Sequence, residues 1–356
     1  MSPVLTRKLK MLGLICAFMA GVGTMYQLVG PDPVDPSGPL VGAILGLAFG
    51  LMELFALATW GRRLASLAFL PLVAAKATLY TLVVFATSHA MGFIYGYVNG
   101  LTLHDFWMSM LDPENWTQHV VTLASYGVLV FFVQMSRMVG QDVLMKFLRG
   151  RYLRPTEEDR VFMFLDLRDS TPIAEKLGPT YYQLLNDFFH DISYPVMMTR
   201  AEIYQYVGDE VVLTWDLDAG IQDANCLRVF ALISEAVTAR ADEYRRKYGV
   251  VPKYKAGLHC GSVISAQIGD IKREIGYNGD VVNTASRIQE KCRELGVDLL
   301  TSADLMQRLT LPEGYTAVGL GPVELKGKEL PVELYSVRHA AAQGSVTAGV
   351  SLGQKG

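Results

Sequence analysis

The chain has 356 residues, of which 51% are hydrophobic and 19% are charged, and its formal net charge is -3. This apolar content is high for a purely soluble protein and points to membrane segments. The balanced charge argues against a nucleic-acid partner, since phosphate backbones bind basic surfaces. The four cysteines show neither paired spacing nor clustering, so we expect reduced thiols.

The first 140 residues contain four apolar stretches, each long enough to cross a bilayer, which takes about 20 residues. They run over 11–29, 39–60, 65–87 and 118–136. Apart from Lys76, lysine and arginine occur only before the first stretch, between the second and third, and after the fourth. The positive-inside rule then predicts a multi-pass inner (plasma) membrane protein, with its N-terminus and everything after residue 137 in the cytoplasm.

This pattern predicts that residues 1–137 form an all-α four-helix transmembrane domain whose partner is the lipid bilayer. The alternative for residues 1–29 is a cleaved signal peptide.

Two charged residues fall inside predicted spans, Glu53 in the second and Lys76 in the third. The helical rise puts them at similar depth, so one interpretation is a buried ion pair. The other is a lysine that snorkels to the interface and a protonated glutamate. His89 and His119, near the outer ends of spans, are weak candidates for haem or metal binding. No motif in the membrane domain is typical of binding a particular ligand, so its ligand stays unidentified.

Residues 138–157 read as a continuation of the fourth helix, with one apolar stripe, and Pro155 ends it. A helix in this place is suited to pair with a second copy and transmit a signal. A passive spacer fits the same pattern.

The secondary-structure elements of the remaining chain can be predicted in order. We predict strand VFMFLDL, a helix from Pro172 to His190, the hairpin AEIYQYVGDEVVLTW, helix NCLRVFALISEAVTARADEYRRKYG, strands YKAGLHCG, VISAQIG and REIGYNG, helix VVNTASRIQEKCREL, and closing strands around YTAVG and ELKGKELPVELYSV. This order predicts a cytoplasmic α+β domain over 158–338 with a ferredoxin-like β-α-β-β-α-β core. The small, polar tail 339–356 is predicted to be disordered.

Two aspartates stand out. Asp166 ends the nearly all-apolar first strand, where a carboxylate is costly unless a cation neutralises it. Asp209 lies in the Gly-Asp-Glu turn of the hairpin, and on its own it reads as a solvated turn residue. If the strand lies beside the hairpin, the two carboxylates converge and are able to hold a pair of Mg²⁺ ions for phosphoryl chemistry.

Further candidates lie downstream in GYNGDVVNTASRIQ and ELKGKEL. Asn283 and Arg287 are four residues apart and therefore share one helix face. Arginine suits a phosphate in its transition state and asparagine orients a hydroxyl, although a capping asparagine and a surface arginine are common. Lys326 reads equally as a phosphate contact or as an exposed turn lysine.

In order and spacing, the motifs FLDLRDST, YVGDE, GDVVNTASR and LKGKELPVELYSV resemble those of the class III nucleotidyl cyclases. The resemblance implies two Mg²⁺ or Mn²⁺ ions per site and a homodimer that shares its sites. It assigns the metal ligands to Asp166, Asp209 and the Leu167 carbonyl, ribose orientation to Asn283, the transition-state charge to Arg287 and the triphosphate to Lys326.

The chain departs from the family pattern where the base is recognised, because Gln205 and Gly276 match neither the adenylyl nor the guanylyl pair. Glutamine is able to read either purine, and Gly276 leaves its role to Tyr277, Asn278 or the backbone. The resemblance favours a membrane-anchored adenylate cyclase that converts ATP to 3′,5′-cyclic AMP and pyrophosphate. A guanylate cyclase acting on GTP and a non-catalytic nucleotide-binding membrane receptor are the alternatives.

Overall fold

The computed structural model describes residues 3–29, 37–56, 154–270 and 274–340, together with scattered residues between 78 and 152. The chain divides into two compact units, Met1–Gln141 and Asp142–Gly356. Several predictions fall outside the described residues: Lys76, His89, His119, most of the third and fourth spans, most of segment 138–157, and the tail from residue 341.

In the first unit, helix α1 spans Pro3–Val29, and helix α2 spans Ser37–Leu51 and continues as a π-helical turn over Met52–Ala56. Glycines let the two backbones meet: a Cβ on Gly42 would lie 2.1 Å from the carbonyl oxygen of Met19, so a larger residue would push the helices apart. The π-helical turn contains Glu53, which is buried.

Within the described residues, one helix is long and apolar enough to cross a membrane, over Lys8–Met25. The helix in the second predicted span is shorter, and only part of the third is seen, over Thr78–Thr87. A single such helix near an N-terminus is weak evidence of membrane association, because a signal sequence passes the same test. The four-span topology is therefore not shown.

The second unit is built around an eight-stranded sheet in the order β2-β3-β1-β4-β6-β8-β7, with β5 paired to β4. Its strands are β1 Thr156–Leu167, β2 Glu202–Val207, β3 Glu210–Asp216, β4 Tyr254–Ile268, β5 Glu274–Asn278, β6 Leu299–Ser302, β7 Tyr315–Val323 and β8 Val332–His339. Its α-helices are α3 Ser170–Leu177, α4 Thr180–Met198, α5 Leu217–Ile221, α6 Asn225–Ala239, α7 Ala241–Tyr248, α8 Asp280–Glu294 and α9 Ala303–Met306.

The predicted β-α-β-β-α-β order and the hairpin are confirmed, with corrections in detail. The two strands predicted in YKAGLHCG and VISAQIG form the single strand β4. The helix predicted from Pro172 to His190 is two helices, because Gly178 takes a left-handed φ of 51° and Pro179 follows it. Strand β6 and the short helices α5 and α9 were not predicted, and the single helix predicted over NCLRVFALISEAVTARADEYRRKYG is two helices, α6 and α7.

The two faces of the sheet pack differently, and this positions the candidate site. On one face, Met163 and Leu165 of β1 pack in the main core, together with apolar residues of α4 and α6. On the other face, Phe162 and Phe164 pack against helix α8. Because side chains alternate along a strand, Asp166 lies on this second face.

The cysteines in the described residues are free thiols, as predicted. Burial raises the pKa of Cys226 to about 12 and that of Cys260 to about 11, which leaves both thiols protonated and unreactive at neutral pH.

Candidate active site

Asp166 and Asp209 are neighbours because of strand register. Asp166 is directly opposite Glu210 in the β1–β3 pairing. Val207 pairs with Glu210 across the hairpin, so the turn consists of Gly208 and Asp209, and Gly208 has the φ of +66° that glycine adopts without strain. The structure therefore brings together the two aspartates, as the sequence predicted.

Two further residues hold the Asp166 carboxylate, and the sequence reasoning missed both. The Lys255 ammonium on β4 lies 3.3 Å from Oδ2 of Asp166. The buried Gln289 on α8 donates a hydrogen bond from Nε2 to the same oxygen, at 3.1 Å. Lys255 could have been predicted from the motif YKAGLHCG, because it is a cation in a mostly apolar strand. No feature of the sequence pointed to Gln289.

The acidic groups repel one another. Burial, then the Asp209 charge, raises the pKa of Asp166, while Lys255 opposes the shift. Burial, then the charges of Asp166 and Asp209, raises the pKa of Glu210 to about 7. Burial, then the Asp209 charge, raises the pKa of Tyr181 to about 12. The negative charge concentrated here is only partly compensated by the protein itself.

Oδ2 of Asp209 is buried and accepts no hydrogen bond from the described residues. An unpartnered carboxylate oxygen beside a second carboxylate fits a divalent cation, since Mg²⁺ prefers oxygen ligands. No cluster of three histidine, cysteine or acidic side chains suited to a metal exists in the part of the chain that the structure describes. Any ion here must therefore complete its shell with backbone, water or substrate oxygens, as Mg²⁺ commonly does.

A cleft of about 320 Å³ adjoins Asp166. It is lined by Asp166, Leu167, Arg168, Asp169, Ser170, Thr171, Pro172, Lys255 and Arg293. Leu167 belongs to this cleft through its backbone, because its side chain is buried in the main core. The cleft therefore presents the Asp166 carboxylate with basic side chains beside it, an arrangement suited to a metal-bound polyphosphate.

The other predicted residues form a separate group. On α8, Asn283 is exposed and Arg287 is half-buried. The loop between β7 and β8 lies against this helix: a Cβ on Gly327 would be 3.3 Å from Nη2 of Arg287, and Lys328 pairs with Asp280.

Lys326 is exposed on the same loop. Among the described residues, none of Asn283, Arg287 and Lys326 makes a hydrogen bond or ion pair with Asp166 or Asp209. The structure thus shows two groups, one acidic and one largely basic, with no hydrogen bond or ion pair between them among the described residues.

The predicted base-facing residue Gln205 owes its orientation to a β-bulge. Ile203 pairs with Leu213, but Gln205 pairs with Val212, so Tyr204 is an extra residue. Paired residues share a face, so Gln205 faces the Phe162 side with Val212 instead of the helical core. Its side chain is exposed there.

The other position predicted to face the base, Gly276, lies on β5 opposite Ala266. A Cβ on Gly276 would come within 2.8 Å of Ile268 Cδ1, so a side chain here would displace that isoleucine. Tyr277 packs inward, with its ring centroid 5.4 Å from that of Phe162. The Tyr277 ring therefore packs inside the protein. The groups left to bind a purine base at this strand are the exposed Asn278 and the backbone.

The sequence of the second unit matches a known protein family. The family model "Adenylate and Guanylate cyclase catalytic domain" matches residues 154–339. The chain is similar to adenylate cyclase 2 of Rhizobium meliloti (strain 1021), at 38% identity over 226 residues that make up 63% of this chain and 62% of the relative. It is also similar to the adenylate cyclase of Anabaena cylindrica, at 26% identity over 49% of this chain and 36% of the relative.

Among solved structures, a bacterial light-regulated adenylyl cyclase superposes with a TM-score of 0.51 at 20% identity, covering 60% of this chain and 64% of that one. At this identity, the likeness shows the fold alone. The chain covers less than two thirds of the length of the two curated relatives described above. The family match spans more than half of the chain, and the chain therefore belongs to the family of adenylate and guanylate cyclase catalytic domains.

Proposed function

We propose that the protein is a membrane-anchored adenylate cyclase that converts ATP to 3′,5′-cyclic AMP and pyrophosphate at the interface of a homodimer. The observation that carries this proposal is the Asp166–Asp209 pair: Oδ2 of Asp209 is buried and accepts no hydrogen bond from the described residues, and Asp166 lines a cleft that also contains basic residues. The 38% identity to an adenylate cyclase supports ATP as the substrate.

Asp166, Asp209 and the Leu167 carbonyl would hold two Mg²⁺ or Mn²⁺ ions. Bound there, the ions supply activation of the ribose 3′-oxygen and neutralise charge on the phosphates. Before they bind, Lys255 and Gln289 hold Oδ2 of Asp166, which fixes the direction in which this carboxylate presents its other oxygen. The residues therefore keep the first ligand oriented in the absence of substrate.

The second group acts on the nucleotide. Asn283 orients the ribose, Arg287 stabilises the charge that develops on the α-phosphate, and Lys326 binds the triphosphate. The β7–β8 loop supports this assignment, because Gly327 lies so close to the Arg287 guanidinium that a Cβ there would be 3.3 Å from Nη2, and Lys326 directly precedes Gly327.

A homodimer would bring the two groups of residues into one active site. Since the described residues show no hydrogen bond or ion pair between the two groups, we expect a two-fold partner to bring the basic group of one subunit to the aspartates of the other. Each dimer would then have two equivalent sites, and a lone catalytic domain would have none.

The guanylate cyclase remains the alternative, because Gln205 offers both a hydrogen-bond donor and an acceptor. A non-catalytic nucleotide receptor is the alternative from another class. Incubation of the purified full chain with ATP or GTP and with Mg²⁺ or Mn²⁺ distinguishes these three functions. Cyclic AMP from ATP supports the proposal, cyclic GMP from GTP alone supports the guanylate cyclase, and nucleotide binding without turnover supports the receptor.

For the remainder of the chain we propose a multi-pass transmembrane domain over 1–137 and a signalling helix or linker from residue 138. The sequence-based bounds of 158–338 for the catalytic domain widen slightly, because strand β1 begins at Thr156 and strand β8 ends at His339, and a tail follows. The N-terminus and the catalytic domain would lie in the cytoplasm. Reporter fusions placed after each predicted span test this topology. A periplasmic reporter signal after the second or fourth span would contradict it.

A further inference from the structure

Arg160 forms a buried polar centre in the sheet, away from the residues discussed so far. It lies on β1, six residues before Asp166 and on the same face. It is 0% exposed. Its guanidinium donates hydrogen bonds to Oγ1 of Thr214 at 3.0 Å and to Oδ1 of Asp216 at 2.8 Å, both on β3. A buried charge persists only with such compensation, so this contact is built into the fold.

The same guanidinium reaches two strands that are not neighbours in the sheet. On β2, Oε2 of Glu202 accepts a hydrogen bond from Nη2 at 3.2 Å. On β5, the ring of Tyr277 has its centroid 4.9 Å from Cζ of Arg160, a cation–π geometry that is strongest where water is excluded. The Tyr277 ring also meets Tyr204 of β2 edge-on, with centroids 5.0 Å apart. One buried charge therefore ties β2 to β5.

These two strands carry the base-facing positions. Gln205 follows the bulge residue Tyr204, and the bulge lies between Glu202 and Gln205. Gly276 directly precedes Tyr277. Both strands are therefore anchored to Arg160 within a few residues of the groups that would meet a purine.

We propose that Arg160 is a positioning residue for purine recognition, holding Gln205 and Gly276 in fixed relation through Glu202 and Tyr277. The inference rests on the proposed function, in which these two positions lie over the base. Arg160 does not touch the nucleotide, because it is completely buried. Small displacements of binding groups cost large factors in rate or affinity, so a loosened anchor weakens base recognition while the phosphate and metal contacts persist.

The test uses the full chain with Arg160→Met and three inhibitors. The probes 3′-deoxy-ATP and 3′-deoxy-GTP carry a base but lack the attacking hydroxyl, and inorganic tripolyphosphate carries no base. We expect the inhibition constants of the purine analogues to rise about tenfold, and the purine preference of the wild type to fall. The inhibition constant of tripolyphosphate should not change, which a general loss of structure would not allow.

A matched control is Arg240→Met. Arg240 likewise pairs with two carboxylates, Asp191 and Glu243, and lies over the ring of Tyr244 at 5.4 Å, but it belongs to the helical layer on the other face. This variant should lower thermal stability and leave all three inhibition constants unchanged. Glu202→Gln is the milder second variant, in case Arg160→Met does not fold, and should shift the purine constants in the same direction by a smaller factor.

The outcomes separate this inference from the proposed function. If the wild type neither turns over nor binds either nucleotide, the proposed function fails. If the wild type is a cyclase but the folded variants keep wild-type purine constants, or lose tripolyphosphate affinity in parallel, Arg160 is a structural residue only and the inference is overturned.

Discussion

Asp209→Asn should stabilise the metal-free protein while it abolishes the response to metal. In the wild type, a buried carboxylate oxygen of Asp209 has no hydrogen-bond partner among the described residues, and the group is repelled by the charge of Asp166. An unsatisfied buried acceptor costs about 1–3 kcal/mol, and because Asp209 is only half-buried we take the lower part of that range, about 1–2 kcal/mol. The asparagine amide removes one charge and is able to donate to Asp166.

For a unit of this size, 1 kcal/mol corresponds to about 2–4 °C in Tm, so the variant should melt about 2–8 °C higher in EDTA. The assay is thermal unfolding of the detergent-solubilised full chain in EDTA and in excess Mn²⁺. The wild type should gain stability from Mn²⁺ and the variant should not. Asp187→Asn is the control, because Asp187 accepts hydrogen bonds from Lys247 and Tyr248 and its loss should destabilise. A lower Tm for Asp209→Asn in EDTA would refute the reasoning.

Two further predictions concern acidity and base choice. Because the pKa of Glu210 is raised from 4.5 to about 7 in the folded state, its proton stabilises the metal-free fold at low pH, and that stability is lost as pH rises from about 4.5 through 7. After allowance for solvent screening, the loss should be about 1 kcal/mol in unfolding titrations, and an equal loss in Glu210→Gln would contradict the assignment. Gln205→Lys should change the ratio of kcat/KM for ATP over GTP with little effect on metal dependence, since it touches no phosphate; an unchanged ratio would remove Gln205 from the base pocket.

The pairing of Asp166 with Asp209 was predictable from the sequence, because an apolar strand ending in aspartate and a Gly-Asp hairpin are local signals. Adjacency in the sheet then follows from the β-α-β-β order. The helix break at Gly178 could also have been predicted, since a Gly-Pro pair after a helical stretch is a stop signal, but the predicted helix ran through it.

The contacts that hold the site were not predictable, because they join distant parts of the chain. Gln289 meets Asp166 across 123 residues. Arg160 reads as a surface charge at the start of an apolar strand, yet the fold surrounds it with partners from β2, β3 and β5. The bulge at Tyr204, which decides the face of Gln205, has no marker such as glycine in the sequence.

The central claim, catalysis at sites shared between two chains, is tested most directly by co-expressing Asp209→Ala with Arg287→Ala and measuring cyclic AMP formed from ATP. Each variant alone should be nearly inactive, because every site in its homodimer lacks a metal ligand or the transition-state arginine. Random pairing makes about half of the dimers mixed, and each mixed dimer has one intact site of two, so activity should recover to about a quarter of wild type at equal total protein. A mixture that stays as inactive as its parents, while mixed dimers demonstrably form, would contradict the account.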